Sequence, residues 1–429
     1  MSRLFQLTGS NGCGKTNALR VLGRLPQLAP SLFALPALAD LPIRSTAIGF
    51  QAAQNVIFSR SVRSLLTTPL VFAGITAAKA AARVSEVLQR FEFTYVLDRD
   101  YLTLSGGERQ FVALFSCLLS QVDLYLLDDP VVMMDSGRAS EILKVIAECV
   151  ETNGRTAYGV TCVRPEYYAK LRPGDTVHLG YSPDASRCLQ QFDCLLQSLK
   201  DVDKGPLAIS MNNVTISPYG RVLLRDAGQH WRSGDIVLIT GGNGTGKTCL
   251  LQTMAGIVKP SSGSVSFVSN RAGSQRPAIG KNCFYLPQQF TSLLGFDAVS
   301  KELGTATAPA WWKEILAFIF DWRILNPELR VPESSLGEKH FCNLFAAISA
   351  LARNPSPAAL LLDEPDSGLD ALHSHLLARL LAWLSAHNYF VAVVTHHAGA
   401  YSETGNIPLQ LDEWTIIDRR LVLQKRAAR

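Results

Sequence analysis

The sequence predicts an α/β chain in which one domain occurs twice, each copy a mostly parallel sheet flanked by helices. Three observations lead there. An apolar run, a glycine-rich loop and a closing Gly-Lys-Thr occur at Leu4–Thr16 and again at Ile236–Thr248. A second apolar run ends in an aspartate in each half, at Asp128 and at Asp363. Between them, each half has residues of helical period, Phe111, Leu114, Phe115 and Leu118 in one copy and Phe341, Leu344, Phe345 and Ile348 in the other. Internal repetition governs how the rest of the chain is read.

The repeated loop is a phosphate-binding P-loop in its strand–loop–helix setting. In the second copy it comprises Gly241, Gly242, Asn243, Gly244, Thr245, Gly246, Lys247 and Thr248; in the first, Gly9, Ser10, Asn11, Gly12, Cys13, Gly14, Lys15 and Thr16. Gly242, Gly244 and Gly246 are expected to turn with positive φ and bring bare N–H groups against phosphate oxygens. The helix that follows presents further N–H groups and its positive dipole end. Lys247 reaches the β- and γ-phosphates and the Thr248 hydroxyl holds Mg²⁺, with Thr16 in the same role in the first copy. Each copy is therefore expected to be a P-loop nucleotide-binding domain.

The totals agree with two such domains. At 429 residues and 47% hydrophobic content, the chain can fill two cores. No run approaches the ~18 apolar residues needed to cross a bilayer, and Trp311–Trp322 is broken by Lys313, Glu314 and Asp321. The N-terminus has no basic-then-apolar leader, so no export is expected. A net charge of +5 without a lysine/arginine block gives no argument for nucleic acid. The nine cysteines include no Cys-x-x-Cys pair, which suits a reducing cytosol better than a metal site.

In the first half, strands are expected at 3–8 and at Ala47–Gln51, and a helix from Asn17. Leu104-Ser-Gly-Gly-Glu-Arg-Gln110 opens the next helix, so Ser105, Gly106, Gly107 and Glu108 form a second anion-facing surface. Val122–Pro130 is a buried strand whose Asp128 stands where a P-loop enzyme needs a carboxylate for Mg²⁺.

This set resembles the ATP-binding-cassette (ABC) ATPases over nearly the whole chain. The resemblance implies tandem P-loop NTPase domains, each with a helical signature subdomain, using ATP and Mg²⁺. In that family the strand-end aspartate is followed by a glutamate that polarises the attacking water, and a histidine after the next strand contacts the γ-phosphate. Here those places are taken to fall on Asp129 and on Cys162 of Tyr158-Gly-Val-Thr-Cys162. Aspartate sets its carboxylate roughly 1.5 Å short, a displacement worth on the order of 100-fold in rate. A thiol does not replace imidazole as a donor to phosphate. The first copy is expected to bind ATP and turn it over poorly. Gln51 is its metal- and water-facing glutamine by resemblance. With only eight residues before Gly9, it has no place for the family's adenine-stacking aromatic; either this copy is trimmed or the start is late.

The boundary is expected at the polar Gln197–Pro206 segment, giving domains 1–198 and 207–429 with a linker at 199–206. Alternation at Leu207, Ile209 and Met211, then at Val214 and Ile216, suggests two strands. Tyr219 matches the family's adenine-stacking aromatic, and Gln288 of Phe284-Tyr-Leu-Pro-Gln288 matches the glutamine that touches Mg²⁺ and water, with Gln289 an adjacent competitor. At the signature position stands Glu333-Ser-Ser-Leu-Gly-Glu-Lys-His340, which keeps Ser335 and Gly337 but has Leu336 for a glycine and His340 for the glutamine. Ala358–Asp370 is a complete catalytic strand end: Asp363 for Mg²⁺, Glu364 for the water, Asp370 in the loop that crosses to the other domain. Thr395-His396 supplies the histidine, with His397 as the alternative. Closing strands are expected at Trp414–Asp418 and Leu421–Leu423.

ABC domains pair head to tail, each ATP lying between one P-loop and the other domain's signature. The resemblance then sets the second copy's Lys247, Asp363, Glu364 and His396 against the intact Ser105-Gly-Gly-Glu108. The first copy's P-loop, with Asp129 and Cys162, meets the altered Ser335-Leu-Gly-Glu338. One competent and one degenerate site are expected. The segment Phe50-Gln-Ala-Ala-Gln-Asn-Val-Ile-Phe58 and its continuation to Leu65 are similar to energy-coupling-factor (ECF) and cobalt-type importer ATPases, as is Leu294–Leu303. That implies the motor of a vitamin or metal-ion importer on the cytoplasmic face of the membrane, with permease subunits and a substrate-binding membrane subunit on separate chains and no nucleic acid. The alternatives are a soluble tandem ATPase acting on ribosomes or nucleic acid, and a regulatory ATP-binding protein with little turnover.

Overall fold

The computed structural model describes residues 4–9, 13–24, 43–49, 58–104, 106–131, 136–152, 156–162, 168, 171, 175–179, 184–200, 206–242, 244–269, 273–288, 298–303, 307–328, 336–354, 356, 358–396, 398–402 and 410–427. Its chain contacts divide into two units, Met1–Ser182 and Pro183–Arg429.

The first unit is built on a five-stranded parallel sheet of β1 (Leu4–Thr8), β2 (Thr46–Gly49), β3 (Leu124–Asp128), β4 (Ala157–Cys162) and β5 (Asp175–His178). The order across it is β2-β3-β4-β1-β5. Side chains alternate between the faces, as strand geometry requires. Phe5, Leu7, Leu124 and Leu126 pack with Ala18, Leu19 and Leu22 of the helix Lys15–Arg24. Leu4, Tyr125, Leu127, Tyr158 and Val160 face the other core, which holds the helices Val62–Phe72, Ala77–Arg90, Gly106–Leu118 and Ser136–Thr152. In that core Phe111 stacks on Phe93 at 4.1 Å and on Phe115 at 4.4 Å. The face expected from periodicity is the buried one.

The second unit repeats this plan and adds to it. Strands β6 (Leu207–Ile216), β7 (Leu224–Arg232), β9 (Ser262–Ser269) and β10 (Gly273–Gln275) form an antiparallel sheet. The main sheet runs β11 (Cys283–Leu286), β12 (Ala359–Asp363), β13 (Phe390–Val394), β8 (Asp235–Thr240), β14 (Gln410–Ile417) and β15 (Arg420–Ala427), in that order. Its first five strands are parallel and follow the order of the first unit's sheet. The two strands expected between 207 and 216 are one strand; its pairing with β7 shifts between Met211 and Val214, where Asn213 takes φ 49°. The extra residue of a bulge accounts for the broken alternation.

Trp311, Trp312, Ile315, Leu316 and Ile319 of the helix Ala310–Asp321 are buried, and the Trp312 indole donates to Ser349 Oγ at 2.5 Å. This aromatic segment is core of the helical subdomain. One helix lies elsewhere than expected. Ala185–Ser198 precedes the anticipated linker yet packs in the second unit, where Phe192 meets Phe318 at 5.1 Å and Asp193 pairs with Arg379 at 2.9 Å. Its stripe of Cys188, Phe192 and Leu196 joins the larger core, so the division falls before this helix.

Candidate functional site

In the second unit the chain of β8 leaves the sheet at Thr240 and re-enters structure as the helix Lys247–Met254. Gly246 is its N-cap with φ 105°, a conformation that L side chains rarely adopt. Positive φ also occurs at Gly241 and Gly244, but not at Gly242, so the first turn is made one residue earlier than expected. The Lys247 ammonium donates to the carbonyls of Gly241 at 2.8 Å and Gly242 at 3.0 Å, and Thr245 Oγ1 donates to Gly242 O at 2.9 Å. Lys247 is thereby held inside the loop.

Beside the loop, β12 delivers two carboxylates. The Thr248 hydroxyl hydrogen-bonds the Asp363 carboxylate. Burial pushes the Asp363 pKa up to about 7 and the neighbouring Glu364 adds to this, against the pull of Thr248 and Lys247. Its Oδ1 is buried and has no hydrogen-bond partner among the described residues. A buried carboxylate oxygen left open beside a threonine hydroxyl is the donor set a hard, oxygen-seeking cation requires. These residues fit Mg²⁺, with Thr248 and Asp363 as the groups that would hold it. When bound, the ion neutralises phosphate charge that develops on transfer.

Glu364 follows in the left-handed region, φ 52°, with its N–H donating to Val394 O at 2.8 Å. A non-glycine residue there costs on the order of 1–3 kcal/mol and such residues cluster at active sites. The conformation turns the side chain out at the end of the strand. Gln288 Nε2 donates to Glu364 Oε2 at 2.7 Å, and His396 Nε2 lies 3.2 Å from Glu364 Oε1. Three residues read separately from the sequence thus meet at one carboxylate, which is held from both sides. Of the alternatives, Gln289 and His397 lie outside the described residues. Thr395 Oγ1 donates to Asp366 Oδ2 at 2.9 Å and ties down the turn after Glu364. Tyr285, with its hydroxyl 3.5 Å from Asp363 Oδ2, escaped sequence reasoning because only the pairing of β11 with β12 brings it there.

Asp370 caps the helix Ala371–Ala386, accepting from the His373 N–H at 2.8 Å, and its Oδ1 lies 2.7 Å from His373 Nδ1. Burial works against a charged His373, yet the Asp370 carboxylate holds its pKa above the ordinary histidine value. Phe341 of the helix Leu336–Arg353 meets the same ring edge-on at 4.9 Å.

The first unit has the same parts in another state. Lys15 donates to Gly9 O at 2.7 Å, with Cys13 Sγ at 3.9 Å, and Gly14 takes φ 96°. Thr16 Oγ1 donates to Asp128 Oδ2 at 2.7 Å. Asp129 takes φ 44°, the counterpart of Glu364, and its N–H donates to Thr161 Oγ1 at 2.9 Å. From the signature helix, Gln110 Nε2 donates to Asp129 O at 3.2 Å. The second unit's His340, in the place of Gln110, is buried with its pKa pushed down to about 3 by desolvation, so it is neutral.

Strand register corrects one assignment. Asp128 pairs with Thr161 on β4, whereas Asp363 pairs with Val394 on β13. On the other side, Leu7 pairs with Thr161 and Ile239 with Val394. Thr161 therefore holds the place of Val394 and Cys162 that of Thr395. The histidine position falls on Val163, outside the described residues. The repeated Thr-x pattern shifted the sequence reading by one residue.

Gly106, Gly107 and Glu108 open the helix Gly106–Leu118, and Tyr95 OH donates to Glu108 Oε1 at 2.8 Å. Gly337 follows Leu336 in the first turn of its helix. Ser10, Asn11, Gly12, Gln51, Ser105, Asn243 and Ser335, and the side chain of Tyr219, lie outside the described residues.

Comparison with known proteins agrees with this geometry. The profile of the ABC transporter family matches residues 1–132 and 224–367. A Treponema denticola protein named as an ABC transporter ATP-binding protein is 24% identical, over 91% of this chain and 85% of its own. A Methanosarcina mazei protein of the same name is 25% identical, over 82% of this chain and 74% of its own. Among solved structures, one titled as a model of ribosome-bound archaeal Pelota and ABCE1 aligns with TM-score 0.66 and 18% identity, over all of this chain and 75% of that one. At that identity the likeness concerns the fold. The chain is an ATPase that uses ATP and Mg²⁺, and it belongs to the ABC transporter family as a tandem ABC ATPase.

Proposed function

We propose that this chain is the motor of a membrane importer of the ECF type, moving a vitamin or metal ion, with one hydrolytic ATP site and one that mainly holds nucleotide. The observation that carries the asymmetry is the Glu364 carboxylate, held between Gln288 at 2.7 Å and His396 at 3.2 Å. Roles follow from it. Glu364 is the general base, with Gln288 and His396 orienting it and the terminal phosphate. Lys247 and the loop hold the phosphates, with Thr248, Asp363 and Gln288 toward the metal. In the first unit Lys15, Thr16, Asp128 and Gln51 hold nucleotide and metal, and Asp129 does not act as base.

The transporter part rests on the names of the sequence relatives and on the importer-like segments at 50–65 and 294–303, much of which lies outside the described residues. Among the described residues no helix is long and apolar enough to cross a membrane, so permease and substrate-binding subunits are separate chains in this reading, and the motor sits at the cytoplasmic face. Co-purification from detergent-solubilised membranes, run beside ribosome pelleting, tests it. Recovery with multi-span partners is the expected result. Recovery only in the ribosomal pellet overturns the importer and favours a ribosome-directed ATPase.

A further inference from the structure

The two strand ends differ at a residue that the hydrolytic mechanism does not use. Thr161 occupies the ladder place of Val394. Its hydroxyl donates to Asp128 Oδ1 at 2.7 Å and accepts the Asp129 N–H at 2.9 Å. Thr16 donates to the other oxygen, Oδ2, at 2.7 Å. Both oxygens of the Asp128 carboxylate therefore carry a hydroxyl donor. In the second unit the same backbone N–H, that of Glu364, is taken by the Val394 carbonyl, and the valine side chain offers nothing to Asp363. Asp363 Oδ1 stays open and buried.

We propose that Thr161 is a positioning residue that makes the first-unit site a weak magnesium site, by occupying on Asp128 the oxygen that Asp363 leaves free. A hydroxyl donor draws charge from the carboxylate oxygen it bonds and must be displaced or shared when a cation approaches. Hydrogen bonds to charged groups are strong enough for this to matter about tenfold or more in affinity. The same hydroxyl fixes the Asp129 N–H, so it also maintains the left-handed turn that follows Asp128. Nucleotide at this site is then held mainly by the P-loop backbone and Lys15, with little dependence on the metal. The inference rests on the reading of the first site as one that holds nucleotide.

The test uses the full chain carrying Lys247→Ala, so that the first site is observed alone, and follows binding of a fluorescent ATP analogue with and without Mg²⁺. With Thr161 in place, affinity is expected to change less than about threefold on adding Mg²⁺. Thr161→Val, which recreates the Val394 arrangement, should make the dependence about tenfold steeper, and Thr161→Ser should restore the original behaviour. A thermal melt of each variant separates a binding change from loss of the fold; if Thr161→Val does not fold, the serine variant and the parent still show whether dependence on Mg²⁺ is weak. Equal and strong Mg²⁺ dependence in all three proteins overturns the proposal, as does a serine variant that behaves like the valine. No analogue binding at all in the Lys247→Ala parent overturns the underlying reading of the first site as well.

Discussion

The end of β3 and the end of β12 are the same backbone carrying different chemistry. Asp129 and Glu364 both sit at positive φ, 44° and 52°, directly after the aspartate of their strand. Each donates its N–H to the residue at the same ladder position, to a side-chain hydroxyl in one unit and a carbonyl in the other. What differs is what surrounds the carboxylates. Glu364 is gripped by Gln288 and His396, whereas in the first unit the hydroxyls of Thr16 and Thr161 each bond one oxygen of Asp128. The lesson is that the same strained turn is kept with either carboxylate. In both units that turn is tied across the sheet by its N–H, so it accompanies the shorter carboxylate as well as the longer.

The strongest way to break this comparison is Glu364→Gln, which should lower phosphate release by roughly 10²–10⁴-fold, the span of general-base contributions. Loss of the same size from Asp129→Asn would mean that both strand ends hydrolyse. A second test concerns where the units divide. Phe192 is fully buried against Phe318, so Phe192→Ala should cost the second unit about 3–5 kcal/mol. All six tryptophans lie between positions 231 and 414, so their fluorescence during thermal unfolding reports that unit alone. An unchanged tryptophan transition would return the helix Ala185–Ser198 to the first unit.

Smaller effects sharpen the picture. Gln288→Ala removes one donor from a carboxylate and should reduce hydrolysis about tenfold, leaving ATP binding close to the parent value. A pronounced fall in binding with unchanged turnover would place Gln288 on the nucleotide rather than on the base. Smallest of all, Asp129→Asn is expected to leave total turnover within about twofold, since the proposed general base is Glu364.

Much of this was legible in the linear order of residues. Strand, glycine loop, lysine and threonine lie within a dozen positions, and each is required by local geometry: N–H groups must be bare, the turn must tolerate positive φ, and the helix must begin there. The buried helical faces followed from period alone, as Phe111, Phe115, Phe341 and Phe345 illustrate. Misreadings arose where a residue's role depends on its neighbour across a sheet. Thr161-Cys162 looks like Thr395-His396 when read along the chain, and only pairing with β1 and β3 shows that it is displaced by one. Tyr285 has no distinctive sequence context, and its hydroxyl matters only because β11 lies beside β12.

The amino-acid order by itself determined that there are two nucleotide-binding domains, which carboxylates end their strands, and which copy keeps the glutamate. These are properties of short segments, where spacing and side-chain chemistry are enough. The tertiary structure alone decided that Gln288 and His396 converge on Glu364, that the Thr161 hydroxyl stands by Asp128 where Val394 stands by Asp363, and that the helix before the linker packs in the second unit. Each of these joins residues distant along the chain, and such pairings depend on strand order and register, which leave no local trace.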